Sequence, residues 1–326
     1  MEPFTLVVPK DLEQASAAGR ADGALLKAGG IDVLDRLKER VARPKEVVDL
    51  CALRAELSGI ATEDSGLAIG AMTTLSEIAE HEALSGPALA ALRMAADSAA
   101  TPQIRNRATI GGNLLQVCRC WYLRSEAFAC LHGGDGPACL AIPGENRYHA
   151  VFGVVDCARV HPSTLAPALL ALGAEFATSL GGRVRQMPLA ELFPKLPDAR
   201  TPEHTLEPGE ILTRIFIPAQ PDGSRSSYAE SRERQAADWP TTSAAVRLVI
   251  RGGAIESAAI VLGAVAPVPW PIPEAGAMLK GQRPSAELFE RVAQAAFEGA
   301  SALEHNAYKI AVGKGVLRAA LHEAAR

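Results

Sequence analysis

Five of the six cysteines, Cys118, Cys120, Cys130, Cys139 and Cys157, fall in one short stretch of the chain. The stretch has no long hydrophobic periodicity, so it cannot order itself by burying a helix or strand face. It reads as an insertion whose shape depends on what its thiols hold. The first residues, Met1-Glu2-Pro3-Phe4, lack the basic-then-apolar start of a secretory signal. In a chain kept reduced, a local thiol cluster points to a metal or redox site rather than a disulfide framework. Cys51, alone after an apolar run, reads as a core residue.

Regular structure is expected on both sides of the insertion. Phe4–Val8, Ala24–Lys27 and Glu46–Leu50 read as strands, separated by helices over Asp11–Ala18 and Asp32–Arg40. Together they make a small α/β unit. Gly59–Ile69 reads as a hairpin, followed by helices at Leu75–His81 and Pro87–Ala99. Thr101–Gln116 reads as a loop. After the insertion, a helix over Thr164–Leu172 leads to a hairpin on Gly181-Gly182 and a strand over Glu210–Pro218. Ala219–Gly223 has linker composition. Beyond it, strands Ser243–Ile250 and Glu256–Leu262 flank the Gly252-Gly253 turn. Helices near Glu274–Leu279, Ala286–Gly299 and Gly315–Ala325 complete a sheet with helices on one face.

Length and composition fit this division. At 326 residues the chain has material for about two domains. It is 48% hydrophobic and 21% charged, as soluble globular proteins are. A net charge of −4 and a pI near 6.0 argue against nucleic acid as a partner. No apolar run is long enough to span a membrane.

Two glycine turns carry the clearest chemistry. Ala28-Gly29-Gly30-Ile31-Asp32 joins a strand to a helix, where backbone amides can approach a phosphate and the helix N-terminus favours negative charge. Thr109-Ile110-Gly111-Gly112-Asn113 is the second, with Arg105 and Arg107 just before it. Together they could form two lips around a dinucleotide pyrophosphate. No GxGxxG string is present. The one Gly-Lys pair, Gly313-Lys314, has Tyr308 where a P-loop needs glycine, so neither a Rossmann nor a P-loop site is available.

The strings AGGIDVLDRLK (28–38) and TPQIRNRATIGGN (101–113) resemble the FAD-binding subunits of molybdenum hydroxylases. This family includes the medium subunits of xanthine dehydrogenases, aldehyde oxidoreductases, carbon monoxide dehydrogenases and 4-hydroxybenzoyl-CoA reductase. IGAMTTLSEIAEH (69–81), LEPGEILTRIFIP (206–218), LGAVAPVPW (262–270) and NAYKIAVGK (306–314) extend the likeness, in order, along nearly the whole chain. The resemblance implies an α+β fold: a two-subdomain FAD-binding PCMH-type domain over residues 1–218, divided near residue 55, then a C-terminal domain over 219–326. It implies that Ala28, Gly29, Gly30, Ile31, Asp32, Gly111, Gly112 and Asn113 cradle the FAD pyrophosphate. Thr109 would support the second turn and Leu212 would pack near the flavin ring. Three positions depart from the family: Ile31 where Thr is common, Thr164 where Asp usually meets the ribityl chain, and Ala229-Glu230 where many members carry a flavin-side Lys.

The insertion resembles the loop that holds an extra [4Fe–4S] cluster in 4-hydroxybenzoyl-CoA reductase and some bacterial aldehyde oxidoreductases. Cys120, Cys130 and Cys139, spaced by ten and nine, match its first three ligands. The reductase's fourth cysteine falls at Tyr148. The aldehyde-oxidoreductase version takes a later one, which Cys157 nearly matches, with Cys118 in reserve. The implied activity is that of a flavoprotein oxidoreductase subunit. It takes electrons from [2Fe–2S] centres on a small partner and passes them to an external acceptor, while substrate chemistry takes place at the molybdenum cofactor of a large partner. An aldehyde substrate is expected first, with xanthine-type and aryl-CoA-type complexes as alternatives. The rival from another class is a non-redox scaffold held by a zinc or thiol loop. Cytoplasm is the expected compartment, or the periplasm if a signal-bearing partner carries the subunit out.

Overall fold

A computed structural model describes residues 1–234 and 237–326. The first unit is β1 (Thr5–Val7), α1 (Leu12–Gly19), β2 (Ala24–Lys27), α2 (Ile31–Lys38) and β3 (Glu46–Asp49). Its three strands form a parallel sheet in the order β1-β3-β2. Parallel neighbours require crossovers, which α1 and α2 provide. Asp11 starts α1 by accepting the Gln14 amide. Gly30 starts α2 at φ 87°, a left-handed conformation that glycine adopts without a Cβ penalty. A short helix, α3 (Arg54–Leu57), leads out of the unit.

The second unit is built on a mixed-length antiparallel sheet of β4 (Ile60–Glu63), β5 (Gly66–Gly70), β6 (Glu175–Leu180), β7 (Arg183–Pro188) and β8 (Ile211–Pro218), in the order β4-β5-β8-β6-β7. Between β5 and β6 run α4 (Leu75–Glu80), α5 (Ala90–Ser98), α6 (Pro102–Arg105), α7 (Ile110–Leu114) and α8 (Leu165–Ala171). A capping box of Thr74 and Glu77 sets the start of α4. The core joins Ile69, Ile215 and Phe176 from the sheet to Leu75, Leu92, Ile110 and Leu165 from the helices. Pairing β5 with β8 across so many residues is what gives residues 71–210 a common floor.

The third unit is an antiparallel sheet, β12-β11-β10-β9, of β9 (Ser224–Ser231), β10 (Thr242–Arg251), β11 (Ala254–Gly263) and β12 (Trp270–Pro271). It carries α9 (Pro273–Leu279), α10 (Ala286–Ala295) and α11 (Tyr308–Ala324). Ala244, Val246 and Leu248 of β10 point to these helices, where Phe289, Leu317 and Leu321 meet them.

The structure departs from the sequence expectations in four places. The other face of the third sheet is not open: Ala245 and Val261 pack on Ala91 and Ala95 of α5 and Ala168 of α8. Thr101–Gln116 contains the short helices α6 and α7, started by the side chains of Thr101 and Thr109. Strand β9 was not anticipated, because its serine-rich sequence lacks an apolar alternation. Helix α11 starts at Tyr308 rather than Gly315, since the glycines Gly313 and Gly315 are tolerated inside a packed helix.

Candidate flavin cleft and cysteine cavity

A cleft of about 1020 Å³ runs between the three units, at the upper end of the size usual for cofactor sites. Its first lip is Ala28–Asp32. Among the described residues, no protein acceptor faces the amides of Gly29, Gly30, Ile31 or Asp32, and α2 has no side-chain cap. An uncapped helix start with free amides is an anion site. The lip's glycines have separate reasons. Gly30 needs its positive φ. A Cβ on Gly29 would stand 1.8 Å from the Arg107 carbonyl oxygen, so this glycine is required where the two lips touch each other.

The second lip corrects the sequence expectation. Its amides are not free: Ile110 N donates to Thr73 O, Gly111 N to Ala71 O at 2.9 Å, Gly112 N to Thr109 Oγ1 at 3.1 Å, and Asn113 N to Thr109 O. Thr109 therefore organises the turn, and Gly111 lets α7 lie against Ala71, where a Cβ would have 3.0 Å. Asn113 Oδ1 accepts from Ser163 Oγ at 2.6 Å and from Leu165 N, leaving its Nδ2 for a ligand. The lip borders the cleft by shape and side chain rather than by amide donors.

Elsewhere the cleft is lined by unmet polar atoms. Arg36 Nε, Arg119 Nε, Thr164 Oγ1, His204 Nδ1 and Arg232 Nε are buried, lack a protein partner among the described residues, and belong to residues lining this one cleft. Buried polar groups are normally paired, so this concentration marks the place of a polar ligand. Leu212 on β8 lies beside Gly111 on the apolar floor. Glu230 is taken up by Tyr228 and Arg232. Sequence reasoning missed His204 and Arg232. The only available signal for Arg232 was its place two residues after the position where relatives carry a lysine.

Asp32 poses an electrostatic problem, since a carboxylate beside an anion site repels the ligand. Arg124 at 2.9 Å and Arg119 at 3.0 Å, both from the insertion, and Arg36 at 3.7 Å surround it. Arg119 and Arg124 also reach Asp35, and Arg124 reaches Glu39. Arg119 lies under the Trp239 ring at 4.5 Å. The insertion is thus clamped to the helix that begins at the first lip.

Beyond Arg119 lies a second, small cavity. Cys118, Cys120, Cys130, Cys139 and Cys157 all line it, together with Tyr122, His132 and Arg159. All are free thiols, and Cys51 is elsewhere, bonded to Ala28 O and Lys27. Cys139 is lowered to about 5, chiefly because the Cys157 thiol donates to it, and Cys157 is raised by the same bond. Burial and then the Glu203 carboxylate raise the Cys118 thiol well above its usual range. Converging soft donors with no disulfide between them fit an iron–sulfur cluster. Tyr148 packs edge-on to Trp121 and supplies no ligand to the cavity.

Cys118, His132 and Glu203 also bring a sulfur, a nitrogen and an oxygen within 4.8 Å of one another. His132 Nε2 meets Glu203 Oε1 at 2.8 Å and its Nδ1 meets Ala199 O at 2.6 Å, so both nitrogens face acceptors. That pairing accounts for these groups without a metal.

Comparison with known proteins identifies the family. Residues 2–220 match the family model for the FAD binding domain in molybdopterin dehydrogenase, and residues 226–324 match that for the CO dehydrogenase flavoprotein C-terminal domain. The chain belongs to this family, the flavin-binding subunits of molybdenum hydroxylases. It is 33% identical to the aldehyde oxidoreductase FAD-binding subunit PaoB of Escherichia coli K12, over 99% of both chains. It is 29% identical to the carbon monoxide dehydrogenase medium chain of Hydrogenophaga pseudoflava, over 98% of this chain and 96% of that one. The solved carbon monoxide dehydrogenase of the same organism superposes with a TM-score of 0.76 at 26% identity, covering 99% of this chain and 98% of that one. Among the described residues, no helix is long and apolar enough to cross a membrane.

Two outcomes follow from this geometry. Gly29→Ala should force the lips apart and leave the purified protein with a small fraction of wild-type flavin, read from absorbance per chain. The second concerns Glu203. Burial alone would raise its carboxyl, but the His132 hydrogen bond and charge, then Arg159, outweigh burial and hold it down to about 2. Its folded value lies below its ordinary one, so its contribution is complete above about pH 4.5 and is lost as pH falls towards 2. The contribution is roughly 3 kcal/mol at most. Denaturant unfolding from pH 6 to 2.5 should show a shallower acid loss in Glu203→Gln than in wild type.

Proposed function

We propose that this chain is the electron-transferring flavin subunit of an aldehyde-oxidising molybdenum enzyme, and that it carries an extra [4Fe–4S] cluster. Residues 1–218 would form the flavin-binding part and 219–326 the part that closes the cleft. The observation that carries the reading is the cavity where five thiols converge, clamped by Arg119 and Arg124 to the helix of the first lip. The full-length likeness to an aldehyde oxidoreductase flavin subunit favours an aldehyde over a xanthine-type heterocycle or an aryl-CoA.

In this reading the free amides at Gly29–Asp32 hold the FAD pyrophosphate. Thr164 Oγ1 and Asn113 Nδ2 meet polar groups of the ribityl chain, and Leu212 supports the ring. Bound FAD would supply the exchange between one-electron and two-electron steps. The chain's own task is to hold that group and the cluster on opposite sides of Arg119, dry and fixed. The partners are a small subunit with [2Fe–2S] centres and a large subunit with the molybdenum cofactor. An external acceptor takes the electrons at the end.

Cys120, Cys130, Cys139 and Cys157 are the ligands we assign to the cluster. Cys157 is preferred to Cys118 for two reasons. It lies in hydrogen-bond reach of Cys139, and Cys118 shares its surroundings with the Glu203 carboxylate, which disfavours a thiolate. Iron and sulfide analysis of the co-expressed complex should give four irons beyond those of the [2Fe–2S] subunit, with flavin absorption near 450 nm. Cys157→Ser should lose that extra iron and Cys118→Ser should keep it. The converse pattern would move the fourth ligand to Cys118. A yellow complex without extra iron would remove the cluster, and a colourless one would remove the flavin reading.

A further inference from the structure

His149 touches Cys120 of the cysteine cavity and Lys309 holds the His149 carbonyl, and neither has a role in the site described so far. His149 is 3% exposed, and its Nε2 lies 3.2 Å from Cys120 Sγ. Its ring is edge-on to Trp121, with centroids 5.3 Å apart, and tilted against Tyr122, so its plane is fixed. Its backbone is fixed as well. The amide donates to Asn146 O, and the carbonyl accepts from Asn306 Nδ2 at 3.2 Å and Lys309 Nζ at 2.9 Å.

Lys309 is fully buried, and among the described residues its Nζ meets carbonyl oxygens rather than a carboxylate. Its Nζ donates to Tyr148 O at 3.1 Å and Ala264 O at 2.7 Å as well as to His149 O. Three carbonyl acceptors hold the Nζ in place, and through it the backbone of residues 148 and 149.

The tautomer of His149 follows from its surroundings. Its Nδ1 is buried with no partner among the described residues. With the proton on Nδ1, a buried N–H would be unmet and the bare Nε2 would face the sulfur. A sulfur bound to iron can only accept, so a 3.2 Å contact is favourable only when Nε2 carries the hydrogen.

We infer that His149, with its backbone held by Lys309, is a positioning residue that donates an Nε2–H···Sγ hydrogen bond to Cys120 and so favours the reduced state of the bound cluster. The inference rests on the reading of Cys120 as a [4Fe–4S] ligand. One electron taken from the partner's [2Fe–2S] centres would add negative charge to a bound cluster and its sulfurs, with no bond made or broken. A donor to a ligand sulfur is worth more after that electron arrives than before, which raises the potential.

The experiment compares wild type, His149→Leu and His149→Gln in the co-expressed complex. Glutamine can place an N–H near the position of Nε2, and leucine cannot. Iron and sulfide are measured first, and the extra cluster is then titrated with reductant and followed by electron paramagnetic resonance. We expect all three to hold the cluster. The leucine variant should show a reduction equilibrium about tenfold less favourable, which is about 59 mV for a one-electron couple, and glutamine should recover most of it. Equal potentials in all three would overturn the inference while leaving the cluster in place. Loss of iron from both variants would also overturn it, since His149 would then serve the shape of the loop rather than the charge on sulfur. Wild type without extra iron would overturn the cluster reading itself, and this inference with it.

Discussion

A helix that begins at an anion site should not carry an unpaired carboxylate in its first turn, and α2 carries Asp32 there. The arrangement works because Arg119 and Arg124 bring two guanidinium groups from a distant part of the sequence to that carboxylate. Arg124 is almost fully buried, so breaking this contact would leave charges unpaired on both sides. The cysteine insertion is therefore not an appendage. Its folding completes the electrostatics of the first lip, and the lip's acids give the insertion a fixed seat.

The same logic explains how the third unit closes the cleft. Asn146, inside the insertion, accepts from His305 N, while Asn306 and Lys309 hold the carbonyls of residues 148–150. The insertion is thus held at one end by ion pairs to α2 and at the other by hydrogen bonds to the segment leading into α11. Trp239, from the connection after β9, lies over Arg119. A loop with almost no regular structure of its own thus adds polar ties between units that also meet through the apolar clusters around Ala245 and around Val48.

Much of this was legible in the sequence where a local rule decides the outcome. Gly30 marks a helix start because a left-handed residue is required there, and the thiol cluster marks a cavity because nothing else orders such a stretch. What could not be read were uses that depend on distant partners. The amides of the second turn look available in sequence, yet Ala71 and Thr73 consume two of them, and no local signal reveals a neighbour some forty residues away. Gly29 looks like a glycine facing a phosphate and turns out to face Arg107. Strand β9 is hidden because Ser226 and Ser227 bury their hydroxyls on the carbonyls of Ala88 and Ala320, which an apolar pattern cannot disclose.

Arg119 joins these threads. It sits between Cys118 and Cys120, which line the cysteine cavity, and itself lines the large cleft. The guanidinium is mostly buried and held by Asp32 and Asp35, which fixes its position. A single residue thus stands beside both cavities. An ion-paired arginine stacked on a tryptophan is a fixed wall, and with Arg124 and Arg36 it keeps the Asp32 carboxylate paired at the start of α2.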